Sequence, residues 1–224
     1  MFIRTLQKGE IRIMRIVPAI LTDKLEDFQN MVDITRGFTD YAQIDFMDGF
    51  FVPSKSISLE ALIGVKILLD IEAHLMVKEP NSYLASLKSV GTKKVIFHFE
   101  ADTDPENVIY NIKDLGMEAG LAINPKTTIS EFQSLISHVD SFLFLSVDPG
   151  FYGSPFIPGV LDEIRRFRAQ FPSAFIGIDG GISLDNIKKV KAAGVDYACV
   201  GSRIFLQPDP KESYKAFLRS INED

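Results

Sequence analysis

The chain has a single cysteine, Cys199, in 224 residues. A disulfide framework within the chain is therefore excluded, as are a zinc ribbon and a Cys-x-x-Cys redox pair. The composition fits a reducing, cytoplasmic setting. Excess positive charge is also missing. Lys and Arg number 24 against 30 Asp and Glu, a net charge of −6, and no basic cluster stands out. That speaks against a nucleic-acid partner. It leaves room for a phosphorylated small molecule, which backbone N–H groups can hold alone. No apolar run nears the ~18 residues of a membrane span. The opening stretch MFIRTLQKGEIRIMRIVPAIL is broken by Lys8, Glu10, Arg12 and Arg15. It lacks a small-residue cleavage site and so makes a poor signal peptide. Met14 directly precedes the first strand-like run, so residues 1–13 read as an N-terminal extension. Gly/Ser linkers, Pro-rich spacers and low-complexity tracts are absent too, so residues 14–224 read as one domain.

What the chain does have is repetition. Hydrophobic residues make up 46%, enough to bury a sizeable core. Eight short apolar runs recur: RIVPAIL (15–21), YAQIDFM (41–47), IEAHLMV (71–77), KVIFHF (94–99), EAGLAI (118–123), FLFLSV (142–147), FIGID (175–179) and YACVG (197–201). Helical patterns lie between them. Leu25, Phe28, Val32 and Ile34 mark one. Others end at Gly91, Gly116 and Gly194, the expected stop residue. Strands too apolar to face water, alternating with helices, predict a parallel sheet covered by helices. Eight units in about 200 residues predict a closed (β/α)8 barrel, with an open doubly wound sheet as the competitor. No Gly-x-Gly-x-x-Gly follows the first strand, so a dinucleotide site of that kind is unsupported.

Barrel chemistry sits at the C-terminal ends of the strands. Polar residues found there are Gln43 and Asp45, His74, His98 with Glu100, Ser146 with Asp148, and Asp179. Gln43 and Asp45 are two apart and leave the same face of their strand. Singly, each has a plain reading. A strand-end aspartate can cap a turn, His98 can be a hydrogen-bonded core histidine, and Gln43 a satisfied buried amide. Together, Asp45, His74 and Asp179 supply two carboxylates and an imidazole, a set suited to Zn²⁺, Mn²⁺ or Fe²⁺. The two carboxylates could equally flank a substrate as acid and base. Glycine gives a second signal. DGG (179–181) and GSRIF (201–205) follow strands seven and eight, where such barrels cradle phosphate. SVDPGFYGSPFIP (146–158) has the make-up of a mobile flap.

In order and spacing, VPAIL, IDFMDGFFVP, HLMV, FHFEA, SVDPGFYGSPFIP, IDGGI and VGSRIF resemble the ribulose-phosphate 3-epimerases. The resemblance runs from Met14 over nearly the whole chain. It implies a (β/α)8 barrel that interconverts ribulose 5-phosphate and xylulose 5-phosphate, with two aspartates moving protons on opposite faces of the reacting carbon. It makes Asp45 and Asp179 those residues and also metal ligands, with His74 a further ligand to one divalent ion per subunit (Zn, Fe, Mn or Co). It assigns phosphate to Gly180, Gly181, Gly201 and Ser202, with Gly153 from the flap, and places Met47 and Met76 near the reacting centre. It also implies a cytoplasmic homo-oligomer that binds a sugar phosphate, not nucleic acid or membrane. The departures cluster in one pocket. Gln43 stands where the family has a histidine ligand and is expected to coordinate the ion through Oε1, although an amide oxygen is a weaker ligand than imidazole. Ala19 replaces a substrate-touching serine, and Leu145 replaces a methionine. Two other readings stay open: a sugar-phosphate-binding paralogue without turnover, and a lyase of the same barrel superfamily. The lyase motif Asp-x-Lys-x-x-Asp loses its lysine in IDFMDG.

Overall fold

The computed structural model describes residues 13–150 and 154–223. Eight strands form β1 (Arg15–Ile20), β2 (Tyr41–Met47), β3 (Asp70–Met76), β4 (Lys94–His98), β5 (Glu118–Ile123), β6 (Ser141–Leu145), β7 (Ile176–Asp179) and β8 (Tyr197–Val200). All neighbouring pairs are parallel, and β8 returns to β1 to close the barrel. Each expected strand is present, with ends displaced by two residues at most. The first thirteen residues, expected as an extension, lie outside the described part except for Ile13.

Alternation along the strands divides two cores. Val17, Ala19, Ile96, Ala122, Leu143, Leu145, Tyr197 and Cys199 point inward and pack on one another. Residues of opposite parity, such as Ile44, Phe46, Leu75, Phe97, Phe144 and Ile178, point outward and meet the helices. Every buried charged side chain on β2, β3 and β4 shares the inward parity, because the outward face has no polar partner to offer.

Among the described residues, nine α-helices surround the strands: α1 (Leu25–Arg36), α2 (Leu59–Leu62), α3 (Leu84–Ser89), α4 (Pro105–Asp114), α5 (Ile129–Phe132), α6 (Val160–Gln170), α7 (Ile187–Ala192), α8 (Ser202–Phe205) and α9 (Pro210–Asn222). The glycines expected to end α3, α4 and α7 follow those helices with positive φ. Two long helices, α6 and α9, went unmarked in the sequence. α6 is anchored by Phe167, whose ring lies 4.7 Å from Phe142 and 5.4 Å from Phe144 on β6. Burying one such ring contributes ~1.5–3 kcal/mol, so β6 is held firmly where its end meets the site.

The lower half of the barrel interior is polar. Lys94 and Glu72 form an ion pair with 4% and 0% of their side chains exposed. Tyr41 donates to Glu72 Oε2 at 2.6 Å, and the Lys94 ammonium sits 4.6 Å from the Tyr197 ring. Tyr197 can lie across the axis because residue 177 is glycine. A Cβ there would come within 2.2 Å of the Tyr197 Cζ.

Candidate active site

At the opposite end, strand register sets the site. Asp45 is the cross-strand neighbour of His74, and Asp179 is that of Cys199. Asp45, His74 and Asp179 each offer a ligand atom, all within 4.8 Å of one another. His74 Nδ1 is 3.0 Å from Asp45 Oδ1 and 3.5 Å from Asp179 Oδ2. All three residues line a cavity of about 350 Å³, a volume suited to a small ligand.

Burial alone would favour neutral His74. Hydrogen bonds to Asp179 and Asp45 outweigh it and hold the imidazole up at about 9. Burial raises Asp45 above the usual carboxylate range, and the nearby Asp179 charge adds to it; the His74 and Gln43 hydrogen bonds only partly offset this. A carboxylate whose proton affinity is raised in this way is a stronger base than an ordinary aspartate.

Gln43 joins the cluster with its nitrogen. The amide Nε2 donates to Asp45 Oδ1 and to Asp179 Oδ2, each at 2.9 Å. Its Oε1 faces the other way and accepts from the Cys199 thiol at 3.1 Å. An amide in this orientation shows hydrogens to the carboxylates, so the expected coordination through Oε1 has no support in the observed geometry. The groups present fit a divalent ion through three residues, Asp45, His74 and Asp179.

The remaining expected positions fall as follows. Ala19, Met47, Met76, Gly180, Gly181, Gly201 and Ser202 all line the same cavity. Gly181 has φ +63°, and a Cβ there would meet the Phe156 backbone nitrogen at 2.9 Å. Side chains are excluded and the backbone faces the cavity. Gly153 lies outside the described residues. Ser146 does not face a ligand. Its hydroxyl donates to the carbonyls of Asp179 and Gly180 at 2.9 and 2.6 Å, fixing the end of β7. Asp148 is exposed and takes no part in the cluster. His98 stands behind His74, with Glu100 beyond it.

Two residues escaped the sequence reading. Asn186 donates to the Gly181 carbonyl at 2.9 Å and accepts from the Ser183 N–H at 2.9 Å, so it pins the glycine loop. Arg203 lines the cavity beside Ser202 and brings a cation to the glycine-rich wall. Its signal was in view, one place after the GS pair.

A profile of the ribulose-phosphate 3 epimerase family matches residues 15–205. The chain belongs to this family. It is 33% identical over 212 residues to the ribulose-phosphate 3-epimerase of Mycobacterium leprae, covering 91% of this chain and 93% of that one. It is 35% identical over 202 residues to that of Serratia marcescens, covering 87% and 96%. Among solved structures, KGPDC from Streptococcus mutans superposes with a TM-score of 0.71 at 14% identity, covering 93% of this chain and 97% of that one. At that identity the likeness speaks for the fold. Among the described residues of this epimerase-family chain, no helix is long and apolar enough to cross a membrane.

Proposed function

We propose that this epimerase inverts the carbon next to the ketone of a phosphorylated ketose by metal-assisted proton transfer between two aspartates. Ribulose 5-phosphate and xylulose 5-phosphate are the substrate pair, and the working form is a cytoplasmic homo-oligomer. The observation that carries the reading is the convergence of Asp45, His74 and Asp179 in a cavity walled by Gly180, Gly181, Gly201 and Ser202.

Asp45 takes the proton from C3 on one face, and Asp179, on β7 across the mouth, returns one to the other face. The reverse reaction exchanges the two roles. Asp45, His74 and Asp179 would hold a divalent ion, which when bound supplies Lewis-acid stabilisation of the charge that develops on the substrate oxygens. The glycine backbone and Arg203 bind the phosphate, which fixes the distance from phosphate to the reacting carbon. Met47, Met76, Leu145 and Ala19 form an apolar wall that keeps water from the carbon between the two proton transfers.

The test is solvent exchange. In D₂O with ribulose 5-phosphate and Zn²⁺, Mn²⁺ or Fe²⁺, deuterium enters at C3; Asp45→Asn abolishes that exchange, and Asp179→Asn abolishes the inversion to xylulose 5-phosphate. No incorporation from any pentulose or hexulose phosphate would sink the proposal. The orientation of Gln43 favours a second reading, a sugar-phosphate binder without turnover. That protein would bind the ligand without metal and exchange no deuterium.

A further inference from the structure

The FHFEA segment at the end of β4 has no place in the proton-transfer scheme, yet it touches the site. His98 is fully buried, and its Nε2 lies 3.0 Å from His74 Nε2. Its Nδ1 lies 3.3 Å from Glu100 Oε2. The other Glu100 oxygen accepts from the Asn124 N–H at 2.9 Å and from the Thr127 hydroxyl at 2.5 Å. The His98 ring is packed between Phe51 and His74, with centroids 4.7 and 5.1 Å away.

Hydrogen-bond polarity follows from these contacts. Glu100, fixed as a carboxylate by two donors, has no proton to give, so His98 Nδ1 is the donor. Two N–H groups cannot face each other at 3.0 Å, so one proton lies between the two Nε2 atoms. With His98 protonated at Nδ1, its Nε2 accepts and His74 Nε2 donates. His74 thus keeps its proton on Nε2, and Nδ1, which donates to Asp45 and Asp179 in the metal-free protein, is the nitrogen free to give up its proton and offer a lone pair to a cation.

We propose that Glu100 and His98 are positioning residues that set the tautomer and ring orientation of His74, so that Nδ1 is offered to the metal. The inference rests on the metal-assisted reading above and deepens it. Metal-bound histidines commonly donate their second nitrogen to a carboxylate or carbonyl. In this chain the carboxylate acts through an interposed imidazole.

Glu100→Gln is the decisive variant. The amide oxygen can keep the Asn124 and Thr127 bonds, which turns the NH₂ toward His98 Nδ1. His98 must then carry its proton on Nε2, and His74 is forced to protonate at Nδ1, the coordinating atom. Zn²⁺ affinity, measured by chelator competition, is expected to fall ~10- to 100-fold, the usual range for the loss of such a partner. The metal-free melting temperature should change little, and Glu100→Asp should recover part of the affinity. The chain has three histidines, so ¹⁵N-histidine NMR of the wild type and variant can read each tautomer directly. Expected in the wild type is a proton on His98 Nδ1 and, with Zn²⁺ bound, on His74 Nε2. Unchanged Zn²⁺ affinity in Glu100→Gln, or a His98 proton on Nε2 in the wild type, would overturn the inference and leave the metal-assisted reading standing. A wild-type protein that binds none of Zn²⁺, Mn²⁺ and Fe²⁺ would overturn that reading itself.

Discussion

Gln43→His tests whether the amide obstructs the metal site. In the wild type the amide donates at 2.9 Å to Asp45 Oδ1 and at 2.9 Å to Asp179 Oδ2, oxygens that face the proposed ion. A hydrogen bond to a charged group nets ~1.5–3 kcal/mol, so displacing both costs about 3–6 kcal/mol. Rotating the amide is cheaper. It gives up the same two bonds and the weak thiol bond from Cys199 as well, but offsets them by turning Oε1 toward the ion. Imidazole removes both donors and brings a lone pair without the rotation. The gain should be about 1.4 to 2.8 kcal/mol, or ~10- to 100-fold in the Kd for Zn²⁺. Chelator competition on matched preparations measures it, with Gln43→Leu as the control that deletes the donors and adds no ligand. If the donors are the obstacle, leucine also tightens binding, by less than histidine. A histidine variant with unchanged or weaker affinity would refute the reasoning and make Gln43 a bystander to metal binding.

Lys94→Met leaves the buried Glu72 carboxylate without its cation and should cost about 3–5 kcal/mol in urea unfolding. In a chain of this size that lowers Tm by roughly 6 to 20 °C. Lys94→Met/Glu72→Leu should recover most of the loss, and a single variant as stable as wild type would contradict the buried pair. Arg203→Ala should raise KM for the phosphorylated ketose about two- to fivefold, the worth of one exposed charge contact, with kcat nearly unchanged; an equal fall in kcat would place Arg203 in the chemistry instead. For Asp48, burial would raise the carboxyl, but the backbone N–H groups of Lys78, Phe51 and Phe50 outweigh it and hold the group below its ordinary 3.8. Its contribution to stability is therefore full above that value and lost as pH falls through the lowered one. Wild type and Asp48→Ala should differ in urea midpoint at pH 7 and converge in acid; a constant gap would show that the contribution is not electrostatic.

Much of this was legible because a parallel barrel fixes direction as well as pattern. Once eight strands are counted, the C-terminal end of each is known, and Asp45, His74 and Asp179 stand out from the sequence. Strand ends were readable to within two residues because β-branched and apolar runs stop where the chain leaves the barrel. The unmarked helices, α6 and α9, begin after Gly159 and with Pro210. Their apolar faces are defined by what they pack against, β6 in the case of Phe167, and that partner is not local in sequence. The same search at strand ends passed over Glu72 and Lys94. They sit low on their strands, where a charge is bearable only because the opposite charge is the cross-strand neighbour.

Gln43 shows where sequence reading runs out in physical terms. Spacing placed it on the Asp45 face and the resemblance placed it in a ligand position, but neither says which end of an amide points where. That is decided by Cys199, 156 residues away, whose thiol has a proton to give and stands below the amide oxygen. Cys199 is in turn 3.9 Å from Glu72, which is tied to Lys94 and Tyr41. Gln43 is thus the junction between a structural polar layer below and a chemical one above. The lower layer needs an acceptor at that point, and the amide satisfies it with oxygen, leaving only hydrogens for the carboxylates. A histidine at 43 in the Nε2–H tautomer would face Cys199 differently, so the substitution in the metal site and the identity of residue 199 are coupled. Gln43→His made together with Cys199→Val should therefore bind Zn²⁺ more tightly than Gln43→His alone, and additivity of the two changes would argue that the layers are independent.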